Sequence, residues 1–123
     1  MAGLTTGESQ ATLDARFPTT GGTDYIAWST NGTSEWANLA RTAIGATGWA
    51  AATAADPSVK ANANALTTAA VASAGGTVSH FAIYSAITAG TQRTDWTALT
   101  TARALVVGDT APVASGAIQI TLT

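Results

Sequence analysis

Residues 77–86 read TVSHFAIYSA. Val78, His80, Ala82 and Tyr84 alternate with Thr77, Ser79, Phe81, Ile83 and Ser85, which is the two-residue period of a β-strand. It is the best strand signal in the chain. Upstream, TDYIAWST (23–30) sets Tyr25, Ala27 and Ser29 against Asp24, Ile26 and Trp28 and runs into Asn31-Gly32. Asn-Gly between β-rich runs predicts a hairpin turn, since both residues accept positive φ. WANLARTAI (36–44) predicts the next strand, broken at Gly45 and Gly48, and GWAAATA (48–54) a third with close backbone approach. Downstream, TQRTDWTAL (91–99), ARALVVG (102–108) and GAIQITLT (116–123) predict strands separated by Gly90, by Thr100-Thr101 and by the GDTAPVASG loop.

Two segments need separate reading. In the middle, Asp56-Pro57 resembles a helix start, with alanines behind it. Yet Val59, Ala61, Ala63 and Ala65 alternate with Lys60, Asn62 and Asn64, and asparagines are poor helix interiors, so strand is predicted. At the N-terminus, LTTGESQATLDARFP (4–18) predicts a short helix or arm capped by Thr5 or Thr6, with Glu8 in its first turn and Pro18 stopping it. Short strands with turn residues between them and no helical crossovers predict an all-β chain. The expected organisation is an arm or helix over 1–22 and an antiparallel β-sandwich or jelly-roll-like barrel over 23–123.

Composition narrows the function classes. The chain has 123 residues, no cysteine and a net charge of −2, which removes thiolate metal sites and thiol catalysis. Arg16, Arg41, Lys60, Arg93 and Arg103 are scattered, so no nucleic-acid partner is expected. No apolar run reaches the roughly 18 residues of a membrane span, and the start carries no secretion-signal pattern. Charged residues make up 10% of the chain against about 25% in ordinary soluble domains. Such a surface is solvated by hydroxyls or covered by neighbouring subunits, where charge would have to be desolvated. Both fit a subunit of an assembly.

Chemistry-bearing residues are few. His80 is the single histidine, and nucleophilic catalysis would require it to meet a hydroxyl and an orienting carboxylate. No GxSxG elbow presents a serine. The acidic residues Glu8, Asp14, Asp24, Glu35, Asp56, Asp95 and Asp109 show no ligand-like spacing. His80 therefore reads as a structural strand residue, and no catalytic residue, metal or cofactor is expected. Gly45-Ala46-Thr47-Gly48 lacks the lysine and following helix of a phosphate loop. The four tryptophans, Trp28, Trp36, Trp49 and Trp96, read as core or as subunit and partner contacts, where tryptophan is enriched. Trp96 beside Asp95, or Trp36 beside Glu35, would also make a sugar-stacking platform.

The run TVSHFAIYSAITAGTQRTDWTALT followed by ARALVVGDTAPVASGAIQITLT resembles small tailed-bacteriophage virion proteins labelled tail fibre or minor structural proteins. The shared elements fall at Val78–Tyr84, Ala89-Gly90, Trp96–Thr100, Gly108-Asp109-Thr110 and Gly116–Leu122, while the alanine-rich stretch 50–74 departs from the pattern. The resemblance implies an all-β virion protein on the particle's exterior, made in the host cytoplasm, with no active-site residues to carry over. Within that class the leading expectation is a capsid decoration protein, a self-associating trimer that bridges the major capsid protein and stabilises the shell by mass action. A tail fibre or tail-tip component touching the host surface is the alternative, and a carbohydrate-binding β-sandwich the second.

Overall fold

A computed structural model of the chain describes residues 4–55 and 57–122. Its elements in chain order are α1 (Thr6–Arg16), β1 (Tyr25–Ser29), β2 (Thr42–Ala43), β3 (Ser58–Ala61), β4 (Leu66–Thr67), β5 (Gly76–Tyr84), β6 (Thr97–Leu105), β7 (Pro112–Val113) and β8 (Gln119–Leu122). The chain is all-β with a short N-terminal helix, as its sequence predicts. The paired strands are antiparallel and, among the described residues, no sheet closes into a barrel. Two compact units emerge, one from Met1–Gly22, Ile44–Ala65 and Val113–Thr123, the other from Thr23–Ala43 and Leu66–Pro112.

The first unit is built on α1. Thr5 caps it by accepting from the Glu8 N–H at 3.3 Å, Glu8 lies in the first turn and Arg16 in the last, each charge complementing its end of the helix dipole. The Phe17 N–H closes the helix on the Leu13 carbonyl at 2.8 Å, and Pro18 follows. The helix packs on β3, which pairs with β8 in the register Ser58↔Leu122 to Ala61↔Gln119. Strand thus prevails in the alanine-rich middle, though Asp56 lies outside the described residues. The alternation puts Ser58 and Lys60 inside, both at 0% exposure. Phe17 meets Trp49 edge-on, with centroids 5.6 Å apart, a geometry contributing on the order of 1 kcal/mol beyond area burial.

Beyond Ala61 the ladder gives way to one side chain. Asn62 is buried, donates from Nδ2 to the Asn64 and Ala114 carbonyls at 2.9 and 3.1 Å, and accepts from the Ile118 N–H at 2.9 Å. Its amide does what a continued strand would otherwise do, bonding backbone groups where pairing stops, the buried Ile118 N–H among them. The third strand expected over 48–54 reduces to a bridge between Trp49 and Asn62. Ahead of it the chain turns tightly at Gly45–Gly48, where a Cβ on Gly48 would stand 1.9 Å from the Ile44 carbonyl oxygen; beyond it the Ala50 and Thr53 N–H groups still donate to the Ala61 and Val59 carbonyls at 2.8 and 2.9 Å.

The second unit holds a four-stranded sheet in the order β2-β1-β5-β6. β1 and β5 pair in the register Tyr25↔Tyr84 to Ser29↔His80, centred on Ala27 and Ala82, both at 0% exposure. Ile26, Trp28, Phe81 and Ile83 surround that pair as core. The Asn31-Gly32 turn forms, with Asn31 Oδ1 accepting from the Thr33 and Ser34 N–H groups at 2.9 and 3.0 Å and Gly32 at φ 76°. It does not make a tight hairpin, because β1 pairs with β2 only at Tyr25↔Ala43 and Ile26↔Thr42. Residues 36–41 are spent on a looping turn, so the long strand expected over 36–44 shrinks to two residues.

The strands expected over 91–99 and 102–108 are joined in β6. Thr77↔Ala104 and Val78↔Arg103 pair on one side and His80↔Ala98 on the other, with a register shift between. Leu99 to Ala102 therefore bulge opposite Ser79. The Thr100-Thr101 break read from the sequence falls inside this bulge, which bends an edge strand without ending it.

Candidate functional site

In the second unit, two loops face each other across a pocket of about 460 Å³. One loop, residues 35–41, is fixed at its start by the Trp36 N–H donating to the Trp28 carbonyl at 2.7 Å. Trp36 lies over Gly76, where a Cβ would come within 3.0 Å of the indole, so that glycine is the seat for the ring. The loop's far end is held because Thr42 and Ala43 pair with β1. The other loop follows β5 and is closed by Ser85 and Thr91, which exchange a backbone bond at 3.0 Å and a Thr91 N–H to Ser85 Oγ bond at 2.8 Å. Ala89 and Gly90 both take left-handed conformations, φ 52° and 72°, an arrangement that costs an alanine about 1 kcal/mol.

Arg41 clasps the two loops. Its Nε and Nη2 donate to Glu35 Oε2 and Oε1, both at 2.9 Å. Nη1 donates to the Ala86 and Ala89 carbonyls at 2.8 and 2.7 Å, which is why the strained Ala89 turn is held. The guanidinium carbon lies 3.9 Å from the centroid of the Tyr84 ring, a cation–π contact. The hydrogen bonds that Arg41 donates to Glu35 raise the Arg41 pKa above its ordinary value against the opposing effect of burial, and the Glu35 charge adds to that rise. Leu39 is buried beneath, while Ile87 at 56% exposure forms part of the rim. The pocket therefore combines an internally neutralised charge pair with an indole and aliphatic walls.

Of the tryptophans singled out in the sequence, Trp28 and Trp49 are core side chains, 4% and 2% exposed, and the Trp28 indole N–H donates to Thr42 Oγ1 at 3.1 Å. Trp36 lines the pocket and Trp96 is half-buried, 6.2 Å from Tyr84 between ring centroids. Glu35 and Trp36, paired in the sequence reading, both line the pocket. Arg41 and Ile87 were not read as site residues from the sequence because they reach the pocket from separate segments. A lone arginine carries no local signal of its partners.

His80 lies outside this pocket. Its Nδ1 shares a 2.7 Å hydrogen bond with Ser79 Oγ, and its ring lies against Gly32, where a Cβ would approach Nε2 to 2.9 Å. Among the described residues no group of three or more His, Cys, Asp or Glu side chains could hold a metal ion. No helix among them is long and apolar enough to cross a membrane.

No match is found among curated proteins. The family model of Gp80, podophage GP4 fiber I protein gp80, matches residues 16–121. That span includes β1 to β7, β8 up to Thr121 and the whole pocket, and it extends the likeness read from the C-terminal half through the alanine-rich middle. The chain belongs to the Gp80 family and is a phage virion structural protein.

Proposed function

We propose that this protein is a component of a phage tail fibre, attached to the tail and presenting its surface toward the host cell. The single observation carrying this reading is the match of residues 16–121 to a podophage fiber I protein family. That description weighs against the capsid-decoration expectation and leaves the major capsid protein without support as a partner. The protein acts by binding and not by catalysis. The 10% charge content and the exposed outer edge of β6, where only Leu105 is buried, favour self-association, with a trimer the expected state. An unpaired strand edge is a template for further backbone pairing. Immunogold labelling of intact virions tests the assignment: gold at the tail in few copies supports it, and gold over the head in hundreds of copies refutes it.

A further inference from the structure

We propose that the pocket between residues 35–41 and 87–89 is a binding site for a neutral sugar ring, a pyranoside without ionised groups. This deepens the fibre reading and rests on it for its biological setting, while the chemistry comes from the pocket itself. Arg41 spends four of its five N–H donors on Glu35 and on the Ala86 and Ala89 carbonyls. A ligand carboxylate or phosphate entering here would find the guanidinium occupied and the Glu35 carboxylate facing it. A ligand cation would find a carboxylate already neutralised at 2.9 Å.

What the pocket has left to offer is acceptors and apolar surface. Glu35, 29% exposed at its side chain, accepts one bond per oxygen from Arg41 and keeps further lone pairs. Trp36, Leu39 and Ile87 supply the walls. A pyranose matches both, since its hydroxyls donate to a carboxylate while its C–H face covers an indole. The volume of about 460 Å³ lies within the range of small-molecule sites. Selectivity is expected to be for hydroxyl-rich, uncharged rings, because a site built of fixed acceptors rejects ligands without matching donors.

The test is saturation-transfer NMR on the full chain with the methyl glycosides of glucose, galactose, mannose and N-acetylglucosamine, and with glucuronate as the charged control. At least one neutral glycoside is expected to receive saturation and glucuronate none. Ile87→Lys, a rim substitution at a 56% exposed position, is expected to weaken binding at least tenfold with the circular dichroism spectrum unchanged. Trp36→Ala is expected to do the same, and because Trp36 packs on Gly76 the rim variant decides if that protein misfolds. Absence of transfer from every neutral glycoside, equal transfer from glucuronate, or unchanged binding by Ile87→Lys would each overturn the site. Immunogold location is independent of sugar binding, so a tail-located protein that binds no sugar fails this inference alone.

Discussion

Lys60 is fully buried and its Nζ stands 2.6 Å from Asp14 Oδ1, a carboxylate that keeps 37% of its side-chain surface in water. The lysine comes from β3 and the aspartate from α1, so one ion pair ties the helix to the strand beneath it. Asp14 also accepts from the Ala52 N–H at 2.9 Å. The two partners are unequally placed, and their removal should differ in cost. Asp14→Asn leaves a buried ammonium without its counter-charge, whereas Lys60→Met leaves a carboxylate that water reaches. Fully buried pairs broken on one side lose about 3–5 kcal/mol. With the carboxylate partly solvated, Asp14→Asn should cost on the order of 2 kcal/mol and Lys60→Met less. Urea denaturation of both variants checks the order, and an equal or reversed ranking contradicts it.

The same pair sets an acid limit. Partial burial pushes the Asp14 pKa up, but the Lys60 hydrogen bond, the Ala52 N–H and the Lys60 charge outweigh it and hold the carboxyl below its ordinary value of 3.8. A carboxyl depressed in the folded state contributes stability that is present above its unfolded pKa and is lost as pH falls through the folded one. Thermal midpoints should therefore decline below about pH 4. The decline should be shallower in Asp14→Asn. Parallel pH profiles for the two proteins would count against this linkage.

Arg41→Lys preserves charge but not the fork. An ammonium cannot bridge both Glu35 oxygens and both loop carbonyls, and it forfeits the planar contact on Tyr84. A loss of about 2 kcal/mol is expected. The local signature is faster hydrogen exchange of the Ser85 N–H, which closes the loop on the Thr91 carbonyl at 3.0 Å. Unchanged exchange there would show that the loop holds its shape without the clasp.

Asn62→Ala removes three hydrogen bonds and strands the buried Ile118 N–H in the first unit, while the Ala114 carbonyl keeps its bond from the Ala117 N–H at 3.1 Å. At about 1 kcal/mol per bond, with a further penalty for unpaired buried groups, the expected loss is about 3 kcal/mol. Asn62→Asp should be as harmful, since a carboxylate has no donor for the Asn64 and Ala114 carbonyls. A mild effect in both variants, measured by thermal unfolding, would show that water replaces the amide.

The legible parts of this chain were those with local causes. The period-two run at 77–86, the Thr5 cap with Glu8, and the alternation of Lys60 and Asn62 act within a few residues, and each element stands where its sequence places it. What stayed hidden depends on distant partners. The shortening of the 36–44 strand follows from Trp36 being drawn onto Gly76 and Arg41 onto the turn after Tyr84, neither of which leaves a periodic trace. The alternation of Lys60 with Val59 and Ala61 does not say which side is inside, and Lys60 is fully buried with its Nζ on Asp14 of the helix. One wall of the pocket comes from the segment that holds Glu35 and Trp36, and the other arrives from residues 87–89.

The most direct test of the fibre assignment is the position of this protein on the particle. Gold-conjugated antibody on intact virions, with copy number counted by mass spectrometry, should place it at the tail in a small number of copies. Label spread over the head at hundreds of copies per particle would contradict the assignment and return the protein to the capsid surface.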